Sequence, residues 1–313
     1  MTPTLASNRV SNNYICSPMN YIGGKYKLLP QIIPAFPKKI SKFVDLFCGG
    51  ANVGINVTAK RFLFNDNIKP LIDLYRCLQE LSLEQTLSYI QKRIEKFQLS
   101  LTNADGYLSL RQEYNQNRKP LDLFILTAFS FNHQIRFNSA HEFNNPFGKE
   151  RSCFNPRMKS NLIRFINVLK TKEIVFESRN FEQVDLSSLT QDDFVYCDPP
   201  YLITTGTYND GKRGFTGWNE CEERKLLNLL SQLNDRNVLF ALSNVLCHKG
   251  KTNHLLQSWI DNNSFNVIHL TKDYSNSNYH TLDRSKESTD EVLVMNYIPE
   301  TRQLTFEDAL YWQ

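Results

Sequence analysis

The sequence predicts a doubly wound α/β sheet interrupted by a mostly helical insertion. Three observations carry this. Short apolar runs of strand length occur near both ends of the chain, at 39–47, 61–64, 173–178, 194–197, 237–242, 265–270 and 291–297. A glycine-containing turn, Cys48-Gly49-Gly50-Ala51-Asn52-Val53-Gly54, follows the first of them. Between the two strand-bearing parts, residues 68–115 repeat apolar side chains at helical spacing through LIDLYRCLQELS and LSYIQKRIEKF.

In chain order, 39–47 reads as a buried strand entering the glycine turn, and Ile55–Arg61 as a helix. Arg61-Phe62-Leu63-Phe64 is the next strand, ending at Asn65-Asp66-Asn67. Together they make a βαβ unit. Residues 121–135 are strongly apolar and read as helical, whereas 137–160 are rich in Asn, Gly and Pro and read as irregular. A strand at 173–178, another at 194–197, a helix at 220–234 and three further strands complete the sheet. The expected division is a ligand-binding domain from 1–67 and 173–313, with 68–172 inserted.

Composition limits the function classes. With 41% hydrophobic and 22% charged residues, the chain is ordinary globular protein. It has no apolar run near 18 residues, and its polar N-terminus lacks a secretory h-region, so neither a membrane span nor a signal peptide is expected. The seven cysteines form no CxxC pair, which points to reduced thiols in a cytosol, without disulfides or a metal site. Net charge is only +4, but residues 118–172 hold ten Lys/Arg and three Asp/Glu, or +7, leaving about −3 for the rest. A basic middle in a slightly acidic chain suits a polyanion.

The most informative motif is Asp198-Pro199-Pro200-Tyr201, directly after Phe194-Val195-Tyr196-Cys197. In a parallel α/β sheet, ligands bind at the carboxyl ends of strands. Carboxylate and carbonyl oxygens there can hold an amino group, an aromatic ring can stack on a flat heterocycle, and prolines present no donor needing a partner. The suggested chemistry is a reaction at the exocyclic amine of a nucleobase. Phe47-Cys48-Gly49-Gly50 lets a ligand approach the backbone, and Asp66, 17 residues past Gly49, suits ribose hydroxyls. The spacing of Gly49, Gly50 and Gly54 fails GxGxxG, which counts against a dinucleotide oxidoreductase. Tyr21-Ile22-Gly23-Gly24-Lys25 lacks the spacing of a phosphate-binding P-loop.

Taken in order, Tyr21–Lys25, Asp45-Leu46-Phe47-Cys48-Gly49-Gly50, Asn65-Asp66, a long insertion and Asp198–Tyr201 resemble the Dam-type (class α) DNA adenine-N6 methyltransferases. Within the insertion, Phe131–Asn138 and Glu142–Lys149 look like that family's target-recognition hairpin. Leu242-Ser243-Asn244 and Asp290-Glu291-Val292-Leu293 also fall in their expected places. The resemblance covers roughly 17–298 and implies a Rossmann-like methyltransferase sheet with S-adenosyl-L-methionine as methyl donor.

On this resemblance Tyr21, Lys25, Asp45, Phe47, Gly49, Asp66, Phe181 and Asp198 bind the cofactor. Asp198, Pro199, Pro200 and Tyr201 carry catalysis. Asp198 and the Pro199 carbonyl accept hydrogen bonds from adenine N6, drawing the nitrogen toward sp³ and freeing its lone pair, while Tyr201 stacks on the flipped base. Asn132, Gln134, Arg136, Asn138, Pro146 and Lys149 contact double-stranded DNA. Arg136 is placed to read a guanine and Pro146 to lie against a thymine. Gln134 stands where GATC-specific members commonly have leucine, which leaves the recognition sequence open. Lys27, Lys119, Arg151, Arg157 and Lys159 suit phosphates. The resemblance further implies a cytoplasmic, DNA-associated bacterial or phage enzyme of a restriction-modification system, with any cognate endonuclease acting separately, as a monomer or weak dimer. The alternatives are a cytosine-N4 methyltransferase, which usually carries Ser at the Asp198 position, and a catalytically silent DNA-binding protein on the same scaffold. Two polar stretches, 204–218 and 274–279, are candidates for a DNA-ordered loop and a cover over the target base.

Overall fold

The computed structural model describes residues 14–21, 23–204, 218–271 and 289–300. Short β1 (Lys42–Asp45) and β2 (Arg61–Asn65) form the start of a sheet with β3 (Ile174–Glu177), β4 (Phe194–Cys197), β5 (Leu239–His248), β6 (Lys251–Thr252), β7 (Asn266–Leu270) and β8 (Thr289–Met295). The order is β3-β2-β1-β4-β5-β8-β7, with β6 paired to β5. β1 to β5 are mutually parallel along this path, and β8 runs antiparallel to β5 and β7. The sheet is therefore mixed but mostly parallel.

Alternation along the strands separates two cores. One face carries Phe43, Phe62, Phe64, Phe194 and Tyr196. The other carries Val44, Leu63, Val195, Cys197 and Leu242. The aromatic face is covered by α1 (Leu29–Ile32), α2 (Lys69–Glu80), α5 (Pro120–Phe129) and α6 (Pro156–Leu169), with α3 (Leu83–Lys96) and α4 (Ala104–Asn117) packed beyond them. The aliphatic face is covered by α7 (Glu220–Asp235) and α8 (His254–Asn263). The central strands β1, β2 and β4 and most of β5 are buried on both sides, which is why these runs are nearly continuous in apolar residues. Helices α2, α5 and α6, although they lie in the segment 68–172, share one continuous core with the sheet.

Several local expectations are corrected. The helix expected over Ile55–Arg61 is only a 3-10 turn, Gly54–Asn56, followed by extended chain. The polar side chains there bind the N-terminal segment instead. Asn56 Oδ1 accepts from Ile15 N at 2.7 Å, and Asn52 Oδ1 accepts from Ser17 N at 2.9 Å. Gly54 sits so close to Phe64 that an added Cβ would lie 2.4 Å from its ring. The helix expected over 121–135 ends at Phe129, because Ser130 is extended and Asn132 and His133 take positive φ. The stretch read as irregular to residue 160 becomes α6 at Pro156, capped by Asn155 Oδ1 accepting from Met158 N at 2.9 Å. β5 begins at Leu239, not Asn237, and runs on to His248. α8 and β6 were not anticipated.

Candidate active site

The strand order reverses between β1 and β4, and a cavity of about 730 Å³ opens at the carboxyl ends of these strands. This is the crevice in which doubly wound sheets bind ligands. Every residue expected to bind the cofactor or act in catalysis lines it: Tyr21, Lys25, Asp45, Phe47, Gly49, Asp66, Phe181 and Asp198 through Tyr201.

The glycine turn forms one wall. Gly49 has φ +45°, and a Cβ there would lie 2.8 Å from the Tyr21 ring. Its amide donates to Asp66 Oδ2 at 2.9 Å, and its carbonyl accepts from Tyr75 OH at 2.7 Å. Asp66 Oδ1 accepts from Ile68 N at 2.9 Å. Burial pushes the Asp66 carboxyl up from its ordinary value, and these two backbone donors oppose the shift. At the end of β1, Asp45 is 1% exposed, and its Oδ1 has no hydrogen-bond partner among the described residues. Burial first, then the nearby Asp198 charge, raise its carboxyl well above the usual range.

Phe47, Phe181 and Trp218 form an aromatic cluster at the same end, with ring centroids 5.5–5.7 Å apart. Trp218 Nε1 donates to Glu223 Oε2 at 2.7 Å. Glu223 is fully buried and also accepts from Asn244 Nδ2 at 2.9 Å and Asn253 Nδ2 at 3.4 Å. Burial raises its carboxyl and these three donors oppose the rise. No role was expected for Glu223. Its signal is positional: it stands in phase with Leu226, Leu227 and Leu230 on the buried face of α7. An acid on an apolar stripe needs donors, and here they come from the Leu242-Ser243-Asn244 motif, from Asn253 and from Trp218.

The second wall centres on Asp198. Lys25 Nζ lies 2.8 Å from Asp198 Oδ1 and 3.6 Å from Glu291 Oε1. It also donates to Gly23 O at 2.8 Å and sits 5.1 Å from the Tyr201 ring centroid. The Tyr201 hydroxyl lies 3.1 Å from Asp198 Oδ1 and 3.0 Å from Glu291 Oε1. Asp198 Oδ2 has no partner among the described residues. Burial raises the Asp198 carboxyl, Lys25 pulls it back, and the net direction is up. Next along, Tyr196 OH bonds Ser243 Oγ at 2.8 Å, tying β4 to β5. Glu291 belongs to the Asp290–Leu293 motif, in which the sequence alone assigns it no role.

The segment expected to meet DNA begins where α5 ends. Phe137 and Phe143 bridge as a short antiparallel pair, closed by a turn over 138–142. Asn138 spends its side chain on that turn: Oδ1 accepts from Ala140 N and Glu142 N, and Nδ2 donates to Glu142 Oε2. Buried Asn145 is the hub. Its Nδ2 donates to Phe131 O and Gln134 O, both at 2.9 Å, and Tyr107 OH donates to its carbonyl at 2.7 Å. Of the expected DNA contacts, Arg136 lines the cavity mouth beside Ile135 and Phe137. Asn132, Gln134, Pro146 and Lys149 lie outside the cavity lining. Asn132, Pro146 and Lys149 are exposed, while Gln134 is half-buried. Arg136 is exposed and has no carboxylate partner among the described residues. The candidate loop around Tyr208 and Phe215, and the Tyr274–Tyr279 segment, lie outside the described residues.

All seven cysteines are free thiols. No helix among the described residues is long and apolar enough to cross a membrane.

The chain matches a family model described as D12 class N6 adenine-specific DNA methyltransferase over residues 21–276. It is 49% identical over 298 residues to modification methylase StsI of Streptococcus sanguinis, an alignment covering 95% of this chain and 45% of that protein. It is equally 49% identical over 292 residues to the type II methyltransferase M.FokI of Planomicrobium okeanokoites, covering 93% and 44%. Against the DNA adenine methylase of Escherichia coli (strain K12), identity is 25% over 281 residues, covering 88% and 94%. The chain thus spans less than half the length of the first two relatives and nearly the whole of the third.

Proposed function

Because the chain belongs to the D12 class N6 adenine-specific DNA methyltransferase family, we propose that it methylates adenine N6 within a specific sequence of double-stranded DNA, using S-adenosyl-L-methionine. The observation that carries the reading is the convergence at one cavity of the glycine turn, Asp66 and the Asp198–Tyr201 motif. The names of the StsI and M.FokI relatives support a place among the modification methylases of restriction-modification systems.

The residues present fit such a cofactor. Gly49 leaves a cradle that a Cβ would close against Tyr21. Phe47, Phe181 and Trp218 offer a box for a flat heterocycle. Asp66 has lone pairs left over for ribose hydroxyls, and Asp45 Oδ1 is a buried acceptor without a donor. Tyr21 and Lys25 border the same space. When bound, the cofactor supplies an electrophilic sulfonium methyl group.

The chain's own residues prepare the amine. The N6 lone pair is delocalised into the adenine ring, so the nitrogen is a weak nucleophile. Asp198 Oδ2 and the Pro199 carbonyl accept its two N–H groups and localise the lone pair. These fixed acceptors stabilise the positive charge that develops on nitrogen. The base leaves the duplex to reach them, and Tyr201 stacks on its ring. Arg136, at the cavity mouth, reads a base edge, while the basic segment 118–172 engages phosphates.

The test is methyl transfer by Asp198→Ala and Tyr201→Ala proteins. Loss of an acceptor for developing charge costs roughly a hundred- to a thousandfold in rate. Loss of one base-stacking ring costs roughly ten- to a hundredfold. Wild-type activity in Asp198→Ala would refute the mechanism.

A further inference from the structure

The Asp198–Tyr201 motif does not hold itself in place. Its reactive carboxylate and stacking ring are tied to a residue far away in sequence, Glu291 on β8. β8 lies beyond β5 in the sheet and runs antiparallel to it. Alternation along β8 puts Glu291 on the same face as Leu293 and Met295, the face that carries Tyr196. From there its carboxylate reaches across to Tyr201 OH at 3.0 Å and to Lys25 Nζ at 3.6 Å. The Glu291 and Lys25 side chains are each only 4% exposed. Asp198, at 20%, is the more open carboxylate of the pair.

The arrangement divides labour between two acids. The Tyr201 hydroxyl has one hydrogen and two carboxylates within reach. Lys25 has several hydrogens and spans the same two carboxylates. Glu291 therefore anchors both groups that border Asp198. The tyrosine ring is held at its hydroxyl end as well as at its backbone, so it cannot swing about χ1 without breaking a charge-assisted contact. The ammonium is held between two acids, so it stays against Asp198 Oδ1 and leaves Oδ2 open to the cavity.

We propose that Glu291 is a positioning residue for methyl transfer, acting through Tyr201 and Lys25 to fix the ring and the orientation of Asp198. The proposal rests on the adenine-N6 reading above and deepens it. It assigns Glu291 no contact with base or cofactor. Its effect belongs to the geometry of the bound complex, and so to the rate of the chemical step once both substrates are bound.

The experiment is single-turnover methyl transfer at saturating cofactor and DNA, for Glu291→Ala, Glu291→Gln, Tyr201→Phe and the Glu291→Ala/Tyr201→Phe pair. DNA affinity and thermal melting are followed in parallel. Glu291→Ala is expected to slow the bound-state step by roughly ten- to a hundredfold, the worth of a hydrogen bond to a charged group. DNA affinity should stay within about twofold, since no DNA contact is lost. Glu291→Gln keeps an oxygen acceptor for the tyrosine hydroxyl and should recover much of the rate. In the Tyr201→Phe background the Glu291→Ala penalty should shrink, because the two residues act as a unit. Wild-type bound-state rates in both Glu291 variants would overturn the proposal, as would penalties that simply multiply in the double variant. If Glu291→Ala fails to fold, Glu291→Gln and Tyr201→Phe decide, and full rates in both overturn it. A wild-type protein that transfers no methyl group refutes the functional reading instead.

Discussion

Asp198 has the Lys25 ammonium against one carboxylate oxygen, and the proposed function puts the amine of a base at the other. Burial raises its carboxyl above the ordinary value of 3.8, and Lys25 only partly reverses this. The ionised form is the one that accepts N–H groups. The rate should therefore fall on the acid side, at a pH above that of an ordinary carboxylate, with Lys25, Glu291 and Tyr201 facing the titrating group. Lys25→Met removes the lowering influence and should move that limb further toward neutrality. A single-turnover pH profile measures both. Gly49 is the other residue whose role is local. Ala there meets a positive φ and the Tyr21 ring together, so Gly49→Ala should cost more than ~1 kcal/mol of stability and weaken cofactor binding. Thermal melts with and without S-adenosyl-L-methionine test this. The placement of Asp198 and Gly49 at the cavity was legible because each sits in a contiguous motif at the end of a strand. Glu291 was not, because its purpose lies in contacts with residues 25 and 201, and no local pattern encodes them.

At the level of elements, turn chemistry decides where regular structure starts and stops. Strands β3 and β4 were legible as short apolar runs, β4 buried on both faces and β3 on one, with Val175 exposed on the other. The helix expected after the glycine turn failed because Asn52 and Asn56 serve the N-terminal segment and Gly54 serves Phe64, which periodicity cannot reveal. The start of α6 was available in principle, since Asn155-Pro156 is a cap followed by proline in the first turn. The segment between α5 and α6 is held by buried Asn145, whose amide donates to two of its carbonyls, Phe131 O and Gln134 O. Asn145→Ala should destabilise this segment by roughly 1–3 kcal/mol. It should also weaken DNA binding while leaving cofactor affinity intact, as fluorescence anisotropy and calorimetry would show.

Across the whole molecule, one sheet separates two jobs. Its switch point brings together the carboxyl ends of β1 and β4, and with them the glycine turn, Asp45 and Asp198. The helices of the basic segment cover the aromatic face and carry Arg136 to the cavity mouth. The sequence pattern revealed most of the sheet strands and their order along the chain, but not α8 or β6. It did not reveal that the segment 68–172 and the sheet share one core, because contacts such as Tyr75 with Phe176 span about a hundred residues. We propose that this cavity methylates adenine at N6. Its most direct test is to incubate the protein with duplex DNA and methyl-labelled S-adenosyl-L-methionine, digest to nucleosides and identify the labelled product. Label in N6-methyldeoxyadenosine, abolished by Asp198→Ala, is the predicted result. Label in N4-methyldeoxycytidine, or DNA binding with no label at all, would contradict it.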